Sequence, residues 1–166
     1  LLRKGERRGL TIRRPETAQD WATLHGLIAG RLAEKYGAAP VHTLAELVDL
    51  DRRLGTASWP LLVCERDGVA LGGFWFLDYG NGVLHNQYNA ATEAGLALGA
   101  SGHAMAHALV QAQGAGFRAV SLGRSTNADG FTENRDLLHF KSRFGAGLTG
   151  QITLDVPLDR LADLRE

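Results

Sequence analysis

The sequence predicts a mixed α/β fold in one domain, and three observations carry that expectation. Runs rich in β-branched and aromatic residues alternate with runs whose apolar residues recur every three or four positions. Three strand-like runs follow one another between residues 61 and 91, separated by Asp67-Gly68 and Gly80-Asn81-Gly82, which is the turn chemistry of antiparallel hairpins. A helix-like segment then leads into a further strand, Ala119 to Leu122, so that strand is expected to run parallel to its neighbour. The predicted order is β, α, α, β, β, β, α, β, α, β. A chain of 166 residues with 45% hydrophobic residues suits one domain with a real core.

Each element has a local reason. Leu10-Thr11-Ile12-Arg13-Arg14 alternates as a strand and stops at Pro15. Thr17 is placed to cap a helix carrying Trp21, Leu24, Leu27, Ile28, Leu32 and Tyr36, which Gly37 ends. Thr43 caps the next, with Leu44, Leu47, Leu50 and Leu54 on one face and Gly55 past its end. Strands follow at 61–66, 69–78 and 83–91, and residues 92–100 read as a loop. Ser101 is expected to cap a helix to about Gln113, closed by Gly114 and Gly116. Asn134 to Arg143 reads as a helix, Gly150 to Val156 as the last strand, and Leu158 to Leu164 as a short final helix. There is no internal repeat and no low-complexity linker.

Charge narrows the partners. The formal net charge is zero, so the surface as a whole is no polyanion-binding surface, and DNA is not an expected partner. Arg3, Lys4, Arg7, Arg8, Arg13 and Arg14 crowd the start, which reads as a solvated basic lead-in over residues 1–9 or, alternatively, as a contact for tRNA. Cys64 is the only cysteine and sits in an apolar run, as a small buried hydrophobe would. No run is long and apolar enough to span a membrane, and the start lacks an apolar signal core, so a cytoplasmic location is expected. The chain opens without an initiator methionine, as a fragment of a longer protein would.

Two places carry candidate chemistry. The strand ending near Ala91 and the strand ending at Leu122 are expected to share a crevice at their C-terminal ends, the usual ligand position in open α/β sheets. Tyr88 and Asn89 leave the first strand there, and Ser101, Gly102 and His103 follow at a helix start whose free N–H groups suit phosphate or a developing oxyanion. Arg124, Ser125 and Asn127 leave the second strand. Lys141 comes from the next helix between Phe140 and Phe144, which would hold it still, so it is either a surface lysine between two packed rings or a cation aimed at an anionic intermediate. His85 and Glu93 are candidate proton acceptors, and His139 is ambiguous. His103 and His107 stand four apart, but with Ala-Met-Ala between them and no third ligand they read as partly exposed helix residues, and no metal is expected.

These residues in this order resemble the GNAT N-acyltransferases, and in detail their FemAB-like branch, which includes aminoacyl transferases that build peptidoglycan bridges and proteins of exopolysaccharide clusters. The resemblance covers roughly Leu10 to Pro157. It rests on Lys35-Tyr36-Gly37, Pro40-Val41-His42 and the run Leu44 to Leu54, on Val69-Ala70-Leu71-Gly72-Gly73, and on His85 to Ala91 with its Tyr-x-Ala ending. His107 to Gly116 resembles the family's helix ending in Ala-x-x-x-Gly. Its most specific part pairs Leu122-Gly123-Arg124-Ser125 with Phe140-Lys141-x-x-Phe144-Gly145.

The resemblance implies a mostly antiparallel central sheet with helices on both faces, a GNAT-like domain over residues 10–157 and a short C-terminal helix over 158–166. It implies an enzyme that transfers an acyl or aminoacyl group from acyl-CoA or aminoacyl-tRNA to an amine, small or glycan-linked, such as a cell-envelope or polysaccharide precursor. By the same token Lys141 supports the transfer step, Phe140 lies beside the donor, and Arg124 and Ser125 line the site. The chain departs from the family where the Gln/Arg-x-x-Gly-x-Gly/Ala loop for coenzyme A is absent, and Gly95, Gly99 and Gly102 are spaced otherwise. The stretch from Ala128 to Asp136 is longer than the family's turn, and no tyrosine follows Leu122 in the next helix. The alternative expectation is a non-catalytic binding half of a tandem FemAB-type protein, joined to a second GNAT-like domain or to its own copy.

Overall fold

The computed structural model describes residues 1–65, 67–127 and 129–150. The strand expected over 150–156 and the helix over 158–164 fall, Gly150 apart, outside the described residues. The elements are α1 (Leu2–Arg7), β1 (Thr11–Arg13), α2 (Ala18–Tyr36), α3 (Leu44–Leu54), β2 (Ser58–Cys64), β3 (Ala70–Asp78), β4 (Val83–Ala91), α4 (Glu93–Leu98), α5 (Ala100–Gly114), β5 (Ala119–Ser121) and α6 (Arg135–Ser142). Five strands form one sheet in the order β1-β2-β3-β4-β5. All neighbours are antiparallel except β4 and β5, which are parallel because α4 and α5 connect them.

The two long N-terminal helices start where their caps require. Thr17 accepts from the Asp20 N–H while the Asp20 carboxylate accepts from the Thr17 N–H, and Thr43 and Glu46 repeat the arrangement. Hydrogen bonds from Arg13 and from the backbone of Glu16 and Thr17 hold the Asp20 carboxyl well below its ordinary range. Gly37 closes α2 in the left-handed conformation, φ 60°.

Each face of the sheet carries its own core. On one, α5 presents Ala100, Ala104, Ala108 and Ala112 at four-residue spacing, and the small side chains let the helix lie close over Phe74, Phe76, Leu71 and Leu84. On the other, Trp21, Leu24 and Ile28 of α2 and Leu47 of α3 cover Leu62, Trp75, Leu77 and Tyr88. Each fully buried side chain of this size contributes about 1.5–3 kcal/mol. In that second core the buried Trp75 indole N–H is satisfied, because it donates to Ser58 Oγ at 2.8 Å.

Four expectations change. Residues 1–9, expected as a solvated basic lead-in, keep Arg3, Lys4, Arg7 and Arg8 exposed but fold as α1, and Gly5 packs so closely on the His103 ring that a Cβ would sit 2.3 Å from Nδ1. β2 begins at Ser58 rather than Leu61, with Pro60 lying past the end of β1, where β2 is an edge strand and proline is tolerated. The loop expected over 92–100 contains α4, capped by Thr92 Oγ1 accepting from the Gly95 N–H. α5 starts at Ala100, so its cap residue is Gly99, at φ 86°, and not Ser101.

Candidate active site

β4 and β5 pair over three residues only, Val83 with Ala119, Leu84 with Val120 and His85 with Ser121. β5 then ends, while β4 runs on to Ala91. From Asn86 onward, the edge of β4 that faced β5 has no neighbouring strand among the described residues, so its backbone donors and acceptors open into the gap. The gap is a crevice of about 1770 Å3, beyond the usual ~300–1,000 Å3 of a small-ligand pocket. β4 forms its floor, α2, α5 and α6 its sides, and the segment from Ala119 to Thr126 its far wall.

A bulge sets which β4 side chains face which way. Trp75 lies opposite Tyr88, but Phe76 lies opposite Asn86, so Gln87 is the extra residue. Opposed residues share a face. His85, opposite Leu77, and Tyr88, opposite Trp75, therefore both face α2, three positions apart in a strand that would otherwise put them on opposite faces. Asn86 and Asn89, opposite Phe76 and Phe74, face α5.

His85 is half-buried at the point where the strands part. Its Nδ1 lies 3.2 Å from Ser121 Oγ, and Tyr79 packs against the ring with centroids 5.6 Å apart. Burial first, and then the Lys141 ammonium, pushes the imidazole below its ordinary 6.5, so it is neutral at pH 7. A neutral imidazole held through one nitrogen has the other available to take a proton.

Lys141 reaches back from α6 across the strand exit. Its ammonium donates to the carbonyl of Gly123 at 2.9 Å and of Arg124 at 2.6 Å. Burial pushes its pKa from 10.5 down to about 8. With two of three N–H groups on backbone carbonyls, it fixes the shape of the crevice wall, and one N–H remains for a ligand. Phe140 and Phe144 flank it with ring centroids 5.2 Å apart, and Phe144 packs onto the α5-side core, which anchors the helix as expected.

The other sequence-selected residues divide. Arg124, Ser125, Tyr88, Asn89 and Ser101 line the crevice with His85, Phe140 and Lys141. Asn127 does not: its side-chain amide donates to the Glu133 carbonyl, and its backbone N–H to Thr132, closing the hairpin loop that carries Asp129. Gly102 faces α1, where a Cβ would meet Leu1 at 3.5 Å. His103 was expected to be partly exposed and to join the helix-start site. Instead it is 4% exposed beneath α1, and its Nδ1 has no hydrogen-bond partner among the described residues. Glu93 sits in the first turn of α4 and does not line the crevice.

Several residues escape a reading by segments. Tyr88 Oη is hydrogen-bonded to His42 Nδ1 at 2.9 Å, across 46 residues of sequence. Arg31, Lys35 and Tyr36 bring the C-terminal half of α2 into the crevice. Arg8 of the N-terminal segment donates to the carbonyls of Ala97 and Leu98, which sets a cation beside the start of α5 where the connecting loop has none of its own. Only α2 left a signal: Ile28, Arg31, Leu32, Lys35 and Tyr36 stand at helical spacing on one face.

No protein-family model matches the chain, and no curated protein matches it in sequence. Solved structures do match in fold. An acetyltransferase of Trypanosoma brucei aligns at 20% identity over 89% of this chain and 99% of its own, with a TM-score of 0.59. A GNAT-family acetyltransferase of Staphylococcus aureus aligns at 9% identity over 82% and 83%, with 0.63. AAC(6')-Iy, solved with the bisubstrate analog CoA-S-monomethyl-acetylneamine, aligns at 18% identity over 89% and 97%, with 0.63. With its mostly antiparallel sheet, helices on both faces and strands that part at β4 and β5, this chain has the fold of the GNAT acetyltransferases.

Proposed function

We propose that the chain is an N-acyltransferase that moves an acyl group from a CoA thioester to an amine held in the crevice between β4 and β5. The observation that carries this reading is the parting of those strands after three residue pairs, with an open β4 edge, a neutral His85 and the Lys141 clamp all at the same place. An extended thioester arm can add to the open edge as a strand would, with backbone hydrogen bonds holding it. The phosphates then lie toward the start of α5, where free N–H groups and Arg8 offset their charge. The fold it shares with a protein solved around a CoA bisubstrate analog supports the same choice of donor.

The step is addition and elimination. The amine nitrogen attacks the thioester carbonyl carbon, and the carbonyl oxygen takes the negative charge. An N–H of the β4 edge stabilises that oxyanion, which is worth about 3–4 kcal/mol for one preorganised donor. His85 takes the proton from the amine through the nitrogen that does not face Ser121. The intermediate then collapses to the amide, and the thiolate leaves and is protonated. Holding both reactants in one crevice removes much of the entropic barrier.

Within this class we place the chain in the FemAB-like branch, with an amine of a cell-envelope or polysaccharide precursor as acceptor. The supporting observation is that the two halves of the closing motif touch: Lys141 bonds the carbonyls of Gly123 and Arg124. An aminoacyl-tRNA donor and a non-catalytic tandem half are the competing outcomes. Calorimetry with CoA and with aminoacyl-tRNA, combined with thiol release from acetyl-CoA in the presence of amines, separates them. CoA binding with amine-dependent thiol release is expected. Binding of aminoacyl-tRNA alone would move the donor, and binding without turnover would leave a binding module.

A further inference from the structure

The α2 side of the crevice changes character along one helical face. Trp21, Leu24 and Ile28 lie buried on the sheet. Three, four, seven and eight residues past Ile28, the same face continues as Arg31, Leu32, Lys35 and Tyr36, and all four line the crevice. An apolar stripe thus becomes cationic where the sheet beneath it gives way to the gap. Arg31 is partly covered, with 29% of its side chain exposed, and it pairs with Glu34, a neighbour on the same helix that is 71% exposed. Such a surface pair contributes little and leaves the guanidinium able to turn to a ligand. The Lys35 ammonium lies 5.3 Å from the Tyr36 ring centroid.

Among the described residues, no carboxylate of α2 lines the crevice, and the carboxylates that do line it are Asp129 and Asp136, both on the opposite, C-terminal side. Asp129 is already held by the backbone N–H groups of Phe131 and Thr132 and the Thr132 hydroxyl, which keep it below its ordinary pKa range. An acceptor with several positive charges would meet two cations here, and the nearest carboxylate, Glu34, is exposed and outside the crevice lining.

We infer that the acceptor is an amine that also carries an anionic group, a carboxylate or a phosphate, and that Arg31 and Lys35 bind that group. This inference rests on the acyltransferase reading. The α2 wall, rather than the α5 wall, is left to the acceptor because the donor's phosphates are drawn to the start of α5, on the other face of the sheet. Arginine suits the role through its planar fork, which meets a carboxylate or phosphate with two parallel hydrogen bonds. With the anion held on α2, the amine reaches across toward His85, which shares that face of the sheet.

The test is thiol release from acetyl-CoA with two sets of acceptors: free α-amino acids and aminoalkyl phosphates, against spermine and an aminoglycoside. The anionic amines are expected to give the higher kcat/KM. Arg31→Gln and Lys35→Gln should each raise KM for the anionic amines roughly tenfold to a hundredfold, the range for losing a hydrogen bond to a charged group. KM for acetyl-CoA should stay unchanged. The double variant R31E/K35E should shift preference toward spermine. Higher kcat/KM for spermine in the wild type, or a rise in KM for acetyl-CoA instead of the amine, overturns the inference while leaving acyl transfer standing. The absence of both CoA binding and thiol release with every amine tried overturns the acyltransferase reading and this inference with it. Both positions are on the helix surface, so a thermal melt within about 2 °C of wild type checks that the variants fold.

Discussion

Replacing Lys141 with methionine keeps the length of the side chain and removes its charge and donors. In the native protein the ammonium makes two hydrogen bonds, to the Gly123 and Arg124 carbonyls, and they tie α6 to the segment that leaves β5. A hydrogen bond to a charged group is worth about 1.5–3 kcal/mol. This ammonium is partly exposed, and water can reach the carbonyls once it is gone, so the expected loss is about 1–2 kcal/mol for the pair. For a chain of this size that lowers Tm by about 3–6 °C. The pH dependence has a definite sign. The folded pKa of about 8 lies below the ordinary 10.5, so the unfolded chain binds this proton more tightly. The resulting penalty is fully present below pH 8 and is relieved as pH rises toward 10.5, an increase of about 1 kcal/mol once solvent screening is allowed for. Calorimetric melts at pH 7 and pH 10 measure both effects in the wild type and in Lys141→Met. Wild-type stability should gain relative to the variant between those pH values, and amine-dependent thiol release should fall at least tenfold in the variant. A variant that melts within about 1 °C of the wild type at pH 7, or turns over normally, would refute the clamp.

Three other outcomes follow from the same structure. His85→Gln should lower kcat/KM and remove an acidic limb whose midpoint in the wild type lies below 6.5, because burial and Lys141 depress that imidazole; a pH–rate profile reads both, and an unchanged limb would assign the proton transfer elsewhere. Gly95→Ala puts a methyl 2.3 Å from the Leu71 carbonyl oxygen, a backbone atom that cannot move aside, so a loss of about 2–4 kcal/mol is expected in urea melts, with α4 lifted from β3. Ser58→Ala leaves the Trp75 indole N–H buried without its acceptor, which should cost about 1–3 kcal/mol; a neutral result would mean that water takes the place of the hydroxyl.

Much of the architecture was legible because short-range rules govern it. The caps at Thr17 and Thr43, the stop at Gly37 and the hairpin turns all depend on residues within a few positions of one another, and each stands where expected. The parallel pairing of β4 with β5 follows from the helices that connect them. What misled the segment-by-segment reading were mostly long-range contacts, and at one helix start a local turn. His103 looks like a polar residue at a helix start until α1, nearly a hundred residues earlier, lays Gly5 over it. Ser101 looks like a cap, but Gly99 at positive φ lets the chain turn straight from α4 into α5. β2 runs back past Pro60 to Ser58, and nothing local says that it is an edge strand there, where proline is tolerated.

The crevice divides along the same line. The sequence by itself determined that Lys141, held between Phe140 and Phe144, follows a polar strand exit at Arg124 and Ser125, because those residues belong to two short segments with their own local patterns. It could not say what the lysine touches. Only the tertiary structure decided that its ammonium serves two backbone carbonyls, that a bulge at Gln87 turns His85 and Tyr88 to one face, and that α2 supplies Arg31 and Lys35 as the opposite wall. The physical reason is one of range. Capping and periodicity act over a few residues of chain, whereas the crevice exists only where β5 stops pairing with β4 and three helices from distant parts of the chain close around the gap.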